Sequence, residues 1–326
     1  MLHIVNGDAT ADLLKQSNLT GELLSWREAL IMGPSPNVAF DDWIVFRSEH
    51  LARTYQQKAE ACKASLLEQE ARLRTFAQHE ETVLWFEYDL FCQIHLIYLL
   101  NFFSRQEKHE CQLSLICIDA FPGIENFKGL GQLGPEQLVS LFGERKPIPG
   151  GILDLAQHAW TAYCSPDPGD IERFLKTDTR GLPFLAAALE AHLRRFPAMT
   201  DGLGRVEKVA LNLIECGVDE FKPLFHMFAE LEPLYGFGDN QFWAHLKHLS
   251  QLREPLVKIY GIDNVDAALS AQQFANASFA ITDKGKAVLN GHQEFDEFEG
   301  WLGGVHLNGR NNSWRWDEQH RRIIQR

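Results

Sequence analysis

Four short apolar runs stand out in the first 120 positions: LHIVNG at 2–7, ELLSW at 22–26, TVLWFE at 82–87 and LSLICID at 113–119. Their apolar residues are continuous rather than alternating, the pattern of strands buried on both faces. Polar-apolar segments with helical periodicity lie between them. TADLLKQS (10–17) has Thr10 as its expected N-cap. SEHLARTYQQKAEACKASLLEQEARLRTFAQH (48–79) is long, charged and amphipathic. LFCQIHLIYLLNFFSRQ (90–106) is apolar almost all round. Strands alternating with helices predict an open parallel α/β sheet with flanking helices and right-handed crossovers, a Rossmann-like arrangement.

Beyond residue 120 the period changes to that of helices. GPEQLVSLFG places Pro135 at a first helical position and ends at Gly143. GGILDLAQHAWTAYCS, PGDIERFLK and LPFLAAALEAHLRRFP follow, each bounded by Pro or Gly. RKPIPGG (145–151) is the most linker-like stretch. The last third begins with three amphipathic segments, at 205–216, 219–231 and 238–252. LVKIYG, SFAIT and DKGKAVLNG come next, and three helices followed by two short strands is the order of a winged helix. WLGGVHL and SWRWDEQHRRII predict further strands, the latter with a hairpin turn near Asp317 to His320. The expected division is an α/β sheet domain over 1–144, a helical connecting region over 145–202, and a winged-helix-like α+β module with C-terminal strands over 203–326.

Composition adjusts this picture modestly. The 326 residues suggest about two or three domains, because single cores stop growing at about 250–300 residues. Hydrophobic residues at 45% and charged residues at 23% are ordinary for a globular protein. The net charge of -13 opposes binding to a phosphate backbone unless a local basic patch exists. One such patch is offered by Arg310, Arg315, Arg321, Arg322 and Arg326 in the tail, set against Asp317 and Glu318. Its simpler reading is a solvated strand face. The six cysteines form no CxxC pair and fit no common zinc spacing, which implies reduced thiols. The longest apolar stretch is about 14 residues, short of the roughly 20 that span a bilayer. No signal-like segment precedes the first strand pattern. A cytoplasmic protein that does not enter membranes is the expectation.

Ligands of open parallel sheets bind beyond the carboxyl ends of the strands. Asp8 follows the first strand, Arg27 and Glu28 the second, Glu87 and Asp89 the third, and the fourth ends in Asp119. If these converge, their carboxylates need a proton or a cation, and Asp8, Glu87 and Asp119 are candidate Mg²⁺ ligands. Arg27 can grip a phosphate or carboxylate with two hydrogen bonds. Asp8 and Thr10 stand at a helix start, where anions are favoured. Gln93 shares a helix face with Asp89 and either orients a ligand or hydrogen-bonds Asp89 or a neighbouring backbone group. The same residues also suit structural roles, since Asp and Thr commonly cap helices. His95, alone on an apolar helix, reads as a core residue. GLGQLG at 129–134 spells GxGxxG but does not follow the first strand, so it carries no dinucleotide reading. Ser35, in the proline-rich GPSPN, and Cys164, in AYCSPDP, lack the surroundings of a nucleophile.

These stretches, LHIVNGDATADLL, WREALIMGPSP, VLWFEYDLFCQIHLIYLL and LICIDAFPGIENFKGLGQL, resemble the bacterial family called domain of unknown function 1835. The C-terminal ITDKGKAVLNG, WLGGVHL and WRWD resemble domain of unknown function 3658. The resemblance covers most of the chain. Its motifs correspond to Gly7 and Asp8, to Trp26, Arg27 and Glu28, and to Trp85, Phe86, Glu87, Asp89 and Gln93. Cys92 stands where many relatives have Asp, so that position receives no site role. The family carries no activity to transfer. Two functions remain open. One is an anionic small-molecule or nucleotide site at the sheet edge, enzymatic or sensory, with Mg²⁺-assisted phosphoryl chemistry as the reaction class. The other is a transcription-related regulator acting through the winged helix on DNA or a protein.

Overall fold

A computed structural model describes residues 1–107, 110–266, 271–309 and 313–326. Its centre is a five-stranded sheet in the order β2-β1-β4-β5-β6. β1 (Leu2–Asn6), β2 (Glu22–Trp26), β4 (Glu81–Glu87) and β5 (Gln112–Ile118) are parallel and match the four apolar runs. β3 (Gly33–Pro34) lies outside this sheet. Alternate residues serve the two faces. Val5, Val83, Trp85 and Ile116 pack towards α1 (Asp8–Gln16) and α5 (Pro135–Gly143), whereas Ile4, Leu24, Trp26, Leu84 and Phe86 join the larger core on the other face. That core contains α4 (Leu90–Ser104), which is buried on nearly every side as its uniform apolarity requires.

The predicted 48–79 helix is two helices, α2 (Phe40–Tyr55) and α3 (Ala59–Leu73), followed by a short 3-10 turn. The break is at Gln56, whose φ of 53° closes α2 with a left-handed residue and turns the chain back. A polar residue did this without the Gly or Pro that would have announced it. Thr10 is not the N-cap of α1. The helix begins at Asp8, Gly7 has a φ of 86°, and Thr10 is buried within the first turns. The linker-like segment carries β6 (Lys146–Pro147), which pairs antiparallel with β5 and closes the sheet edge.

Helices α6 (Gly150–Tyr163), α7 (Gly169–Leu175) and α8 (Leu185–Leu193) follow, with α6 and α8 packed on α4. The last third holds α9 (Arg205–Glu215), α10 (Phe221–Leu231), α11 (Asp239–Ser250), β7 (Val257–Tyr260), α12 (Ala271–Asn276), β8 (Ser278–Ile281) and α13 (Asp283–Leu289). β7 and β8 are antiparallel, and Glu220 bridges Ser278 between α9 and α10. DKGKAVL is therefore a helix, capped by Thr282, which accepts from the Gly285 N–H.

The hairpin of β9 (Glu299–Gly303) and β10 (Val305–Asn308) reaches back across the chain, where β9 pairs parallel with β3. β11 (Trp314–Asp317) and β12 (Arg322–Gln325) form the expected final hairpin, its turn held by His320 against Asp317. One buried cluster runs from β1 to β12, through all three expected segments. Among the described residues no helix is long and apolar enough to cross a membrane. All six cysteines are free.

Candidate functional site

β1 has β2 on one side and β4 on the other, so the crossovers leave it in opposite directions. A crevice opens where the chain order reverses in this way, and ligands of such sheets sit there. Here it is a cleft of about 760 Å³ above the ends of β1 and β4. Asn6, Glu87, Asp89 and Cys92 form the sheet-side wall. Phe225 and Phe237 belong to the opposite wall, supplied by α10 and the loop after it, and Lys128 and Lys222 line the same space. Both lysines are exposed, and neither Nζ has an ion-pair partner among the described residues.

The acids at the end of β4 are held by a directional set of hydrogen bonds. The Leu30 N–H donates to His95 Nε2 (3.3 Å), which leaves His95 Nδ1–H to donate to Asn6 Oδ1 (2.8 Å). Asn6 Nδ2 donates to Cys92 Sγ (2.8 Å), and the thiol donates to Glu87 Oε2 (2.6 Å). The other carboxyl oxygen, Oε1, accepts from the Leu130 N–H (2.8 Å). Gly129 makes that approach possible: with φ at 147°, a Cβ there would stand 3.1 Å from Glu87 Oε1. Asp89 caps α4 by accepting from the Cys92 N–H at 2.8 Å, as the sequence predicts.

Burial, then the charge of Asp89, pushes the Glu87 carboxyl up to about 7. Burial raises Asp89 to about 6 against the opposing Cys92 N–H. The Cys92 thiol is driven well above its ordinary value by burial and the two acids, so it stays protonated and is a donor rather than a nucleophile. His95 is lowered to about 3, mainly by burial, and is neutral. The wall thus presents two carboxyls able to gain or lose a proton near neutral pH, facing a largely aromatic surface flanked by two cations.

The residues grouped by the sequence reading are distributed among three places. Glu87 and Asp89 line the cleft, and Gln93 supports it from beneath by donating to the Glu87 carbonyl (2.7 Å), the backbone role. Asp8 and Arg27 meet each other at the surface, with 2.7 Å between Arg27 Nη2 and Asp8 Oδ1, and neither lines the cleft. Glu28 is fully buried against Arg47, both of its oxygens 2.8 Å from Arg47 Nη2. Arg47 also donates to the carbonyls of Met32, Pro34 and Ala29, which makes this pair a brace for the β2–β3 connection. Thr10 is buried in α1, and Asp119 is exposed outside the cleft lining. Among the described residues no group of three or more His, Cys, Asp or Glu side chains is disposed to hold a metal ion. Asp8, Glu87 and Asp119 thus do not form such a group.

The opposite wall lies outside the strand-end residues that local sequence patterns group together. Its signal was available: Lys222, Phe225, His226 and Ala229 repeat at helical spacing and put one stripe of α10 on the cleft. Arg47 was also detectable, since Trp43, Ile44, Arg47 and Ser48 share the buried stripe of α2. No protein-family model matches the chain, and no curated protein matches it.

Proposed function

We propose that the cleft over β1 and β4 binds a small anionic molecule of nucleotide size. The observation that carries this reading is the meeting, at the sheet's switch point, of two proton-exchanging carboxyls with Lys128, Lys222 and an aromatic wall. A volume of about 760 Å³ falls in the range of about 300–1,000 Å³ usual for small-molecule sites. The lysines would take the anionic end, Phe225 and Phe237 the planar or apolar end, and Glu87 and Asp89 the hydrogen-bonding groups. If chemistry follows binding, Glu87 is the group placed to move a proton. Magnesium would enter with the ligand's phosphates rather than through a preformed cage. The test is a thermal-shift screen of nucleotides and nucleoside phosphates, with and without Mg²⁺, on the wild type and on Lys222→Ala. Stabilisation lost in Lys222→Ala supports the reading, and no stabilisation by any of them removes it.

We further infer that α9, α10, α11, β7 and β8 form a winged-helix module, and that the N-terminal sheet is Rossmann-like. The bridge of Glu220 to Ser278 falls between the first two of those helices, where a winged helix has its first strand. The face of α11 that would read DNA meets α2: Gln241 Nε2 donates to Tyr55 Oη at 2.8 Å, and Asn240 and Lys247 share a cleft with Arg53 and Tyr55. Arg315, Arg321, Arg322 and Arg326 each have a carboxylate partner, and Arg310 lies outside the described residues. These contacts favour an internal packing role for the module over direct DNA recognition. The likeness to the families of domains 1835 and 3658 is part of the same proposal and rests on the motifs quoted above. So does a reducing, cytoplasmic setting, supported by the six free cysteines.

A further inference from the structure

A second cleft, of about 400 Å³, lies between α2, α11 and the β9–β10 hairpin; it shares no lining residue with the first, and Phe237 separates the two, stacked on His245 and under the Arg195 guanidinium. Arg195 lines it and is only 2% exposed. Its guanidinium donates to the Ile31 carbonyl (2.8 Å) and approaches Met32 Sδ (3.6 Å), but has no carboxylate partner among the described residues, and its Nε–H has no partner. A guanidinium remains charged under all ordinary conditions; the nearest buried carboxylate, Glu207, acts on it only through space, because its hydrogen bond goes to His245, and a buried charge without direct pairing is costly. An anion that enters from the cleft would remove that cost.

His245 faces the same cleft and is 9% exposed. Its Nδ1 lies 2.6 Å from Glu207 Oε1, and Glu207 is buried. The carboxylate is an acceptor only, so in the neutral imidazole it holds the proton on Nδ1 and leaves Nε2 as a lone pair. That Nε2 is buried and unpartnered, and so is Nε2 of the neighbouring His248. One wall therefore offers an unpaired cationic donor together with an oriented acceptor. A bare oxyanion satisfies only the first. An oxyanion that still carries a hydroxyl satisfies both.

We infer that this cleft is a second binding site, for a small oxyanion bearing a hydroxyl group, such as hydrogen phosphate or a hydroxycarboxylate. Arg195 binds the anionic oxygens and His245 Nε2 accepts from the hydroxyl. Glu207 and Glu299 also line the cleft, so the anion's place is at Arg195 and not anywhere in a generally basic lining.

The experiment is calorimetric titration of the full chain with inorganic phosphate, malate, sulfate and succinate, paired by the presence or absence of a hydroxyl. Phosphate or malate should bind at least tenfold more tightly than sulfate or succinate. Ala244→Leu, which adds side-chain volume at a lining position while keeping Arg195 and His245, should weaken that binding at least tenfold, and Arg195→Met should do the same. Lys222→Ala should leave it unchanged, which separates this site from the first. Binding of none of the four, equal binding of all four, or phosphate binding undiminished by Ala244→Leu would each overturn the inference. If Arg195→Met does not fold, Ala244→Leu alone decides.

Discussion

The Cys92 thiol and the Glu87 carboxyl are 2.6 Å apart, and the sulfur is the donor. That orders the usual roles: burial keeps the proton on sulfur, and the carboxyl is the group free to titrate. Cys92→Ala removes the donor and leaves a small void. A loss of about 1–3 kcal/mol is expected from the unmade hydrogen bond and the cavity together. Cys92→Ser keeps a donor and should lose less. Urea denaturation of the two variants measures the difference, and equal stabilities would mean that the bond contributes nothing.

Stability should fall as pH rises through the range in which Glu87 and Asp89 titrate. Glu87 moves from an ordinary 4.5 to about 7, and Asp89 from 3.8 to about 6. Between these values the folded protein holds protons that the unfolded chain has released, so raising the pH favours unfolding. The stabilisation is complete below the ordinary values and is lost as pH passes through about 6 to about 7. The two acids titrate as a coupled pair, and the total is on the order of 6 kcal/mol. Glu87→Gln should flatten about half of this slope, leaving the part due to Asp89, and be more stable than the wild type under mildly alkaline conditions. Urea midpoints measured across the pH range test both statements.

β1 and β4 were legible because a strand buried on both faces has to be apolar nearly throughout; the edge strand β2, with Glu22 exposed, and the partly exposed β5 were legible from their apolar runs. The cap at Asp89 was legible for a local reason, a carboxylate three residues ahead of an unpaired N–H. What was hidden is tertiary. Arg27 can reach a ligand or Asp8, and only the fold shows that Asp8 is the nearer partner. Glu28 looked like a strand-end acid, but Arg47, 19 positions later, draws it inward. The wall carrying Lys222 and Phe225 comes from a helix more than 130 residues beyond Glu87, and no local spacing links them. β3 is two residues long and exists because β9 pairs with it, which a local pattern cannot announce.

Gly236 covers Asp89 at van der Waals limits. Its φ is 62°, and a Cβ there would lie 2.2 Å from Asp89 Oδ1. Gly236→Ala therefore combines a strained backbone with a clash against the cap of α4. A loss of at least about 1–3 kcal/mol is expected, with weaker binding of any ligand in the first cleft because the loop after α10 must shift. Gly238→Ala, at a φ of -80°, is the control. It should cost less, since its backbone is unstrained, although Gln241 Oε1, which caps α11 through the Gly238 N–H, would stand 2.8 Å from the added Cβ and must give way.

The two ion pairs after β1 and β2 should differ sharply in weight. Arg47→Met leaves Glu28 buried without its counter-charge and should cost about 3–5 kcal/mol. Arg27→Ala removes an exposed pair, whose side chains are 65% and 55% accessible, and should cost less than about 1 kcal/mol. Because Asp8 and Arg27 lie outside the lining of the first cleft, Asp8→Ala should also leave ligand-induced stabilisation there intact. Loss of that stabilisation in Asp8→Ala would return the surface pair to the site.

Tyr55 at the end of α2 receives the Gln241 amide, and this contact lies on the α11 face that a DNA-reading winged helix would need. If packing is the role of that face, three results follow together. Tyr55→Phe should cost about 1 kcal/mol, the worth of one hydrogen bond with a half-buried partner. The full chain should show no affinity for duplex DNA that strengthens as salt is lowered, since α11 offers Lys247 already paired with Asp266 at 2.8 Å. Charge introduced at the contact, as in Gln241→Glu, should loosen α2 from α11 and raise hydrogen exchange in both helices. Salt-dependent DNA binding by the intact chain would instead require α2 to leave that face, and would make the module a reader of DNA that the N-terminal domain holds in check.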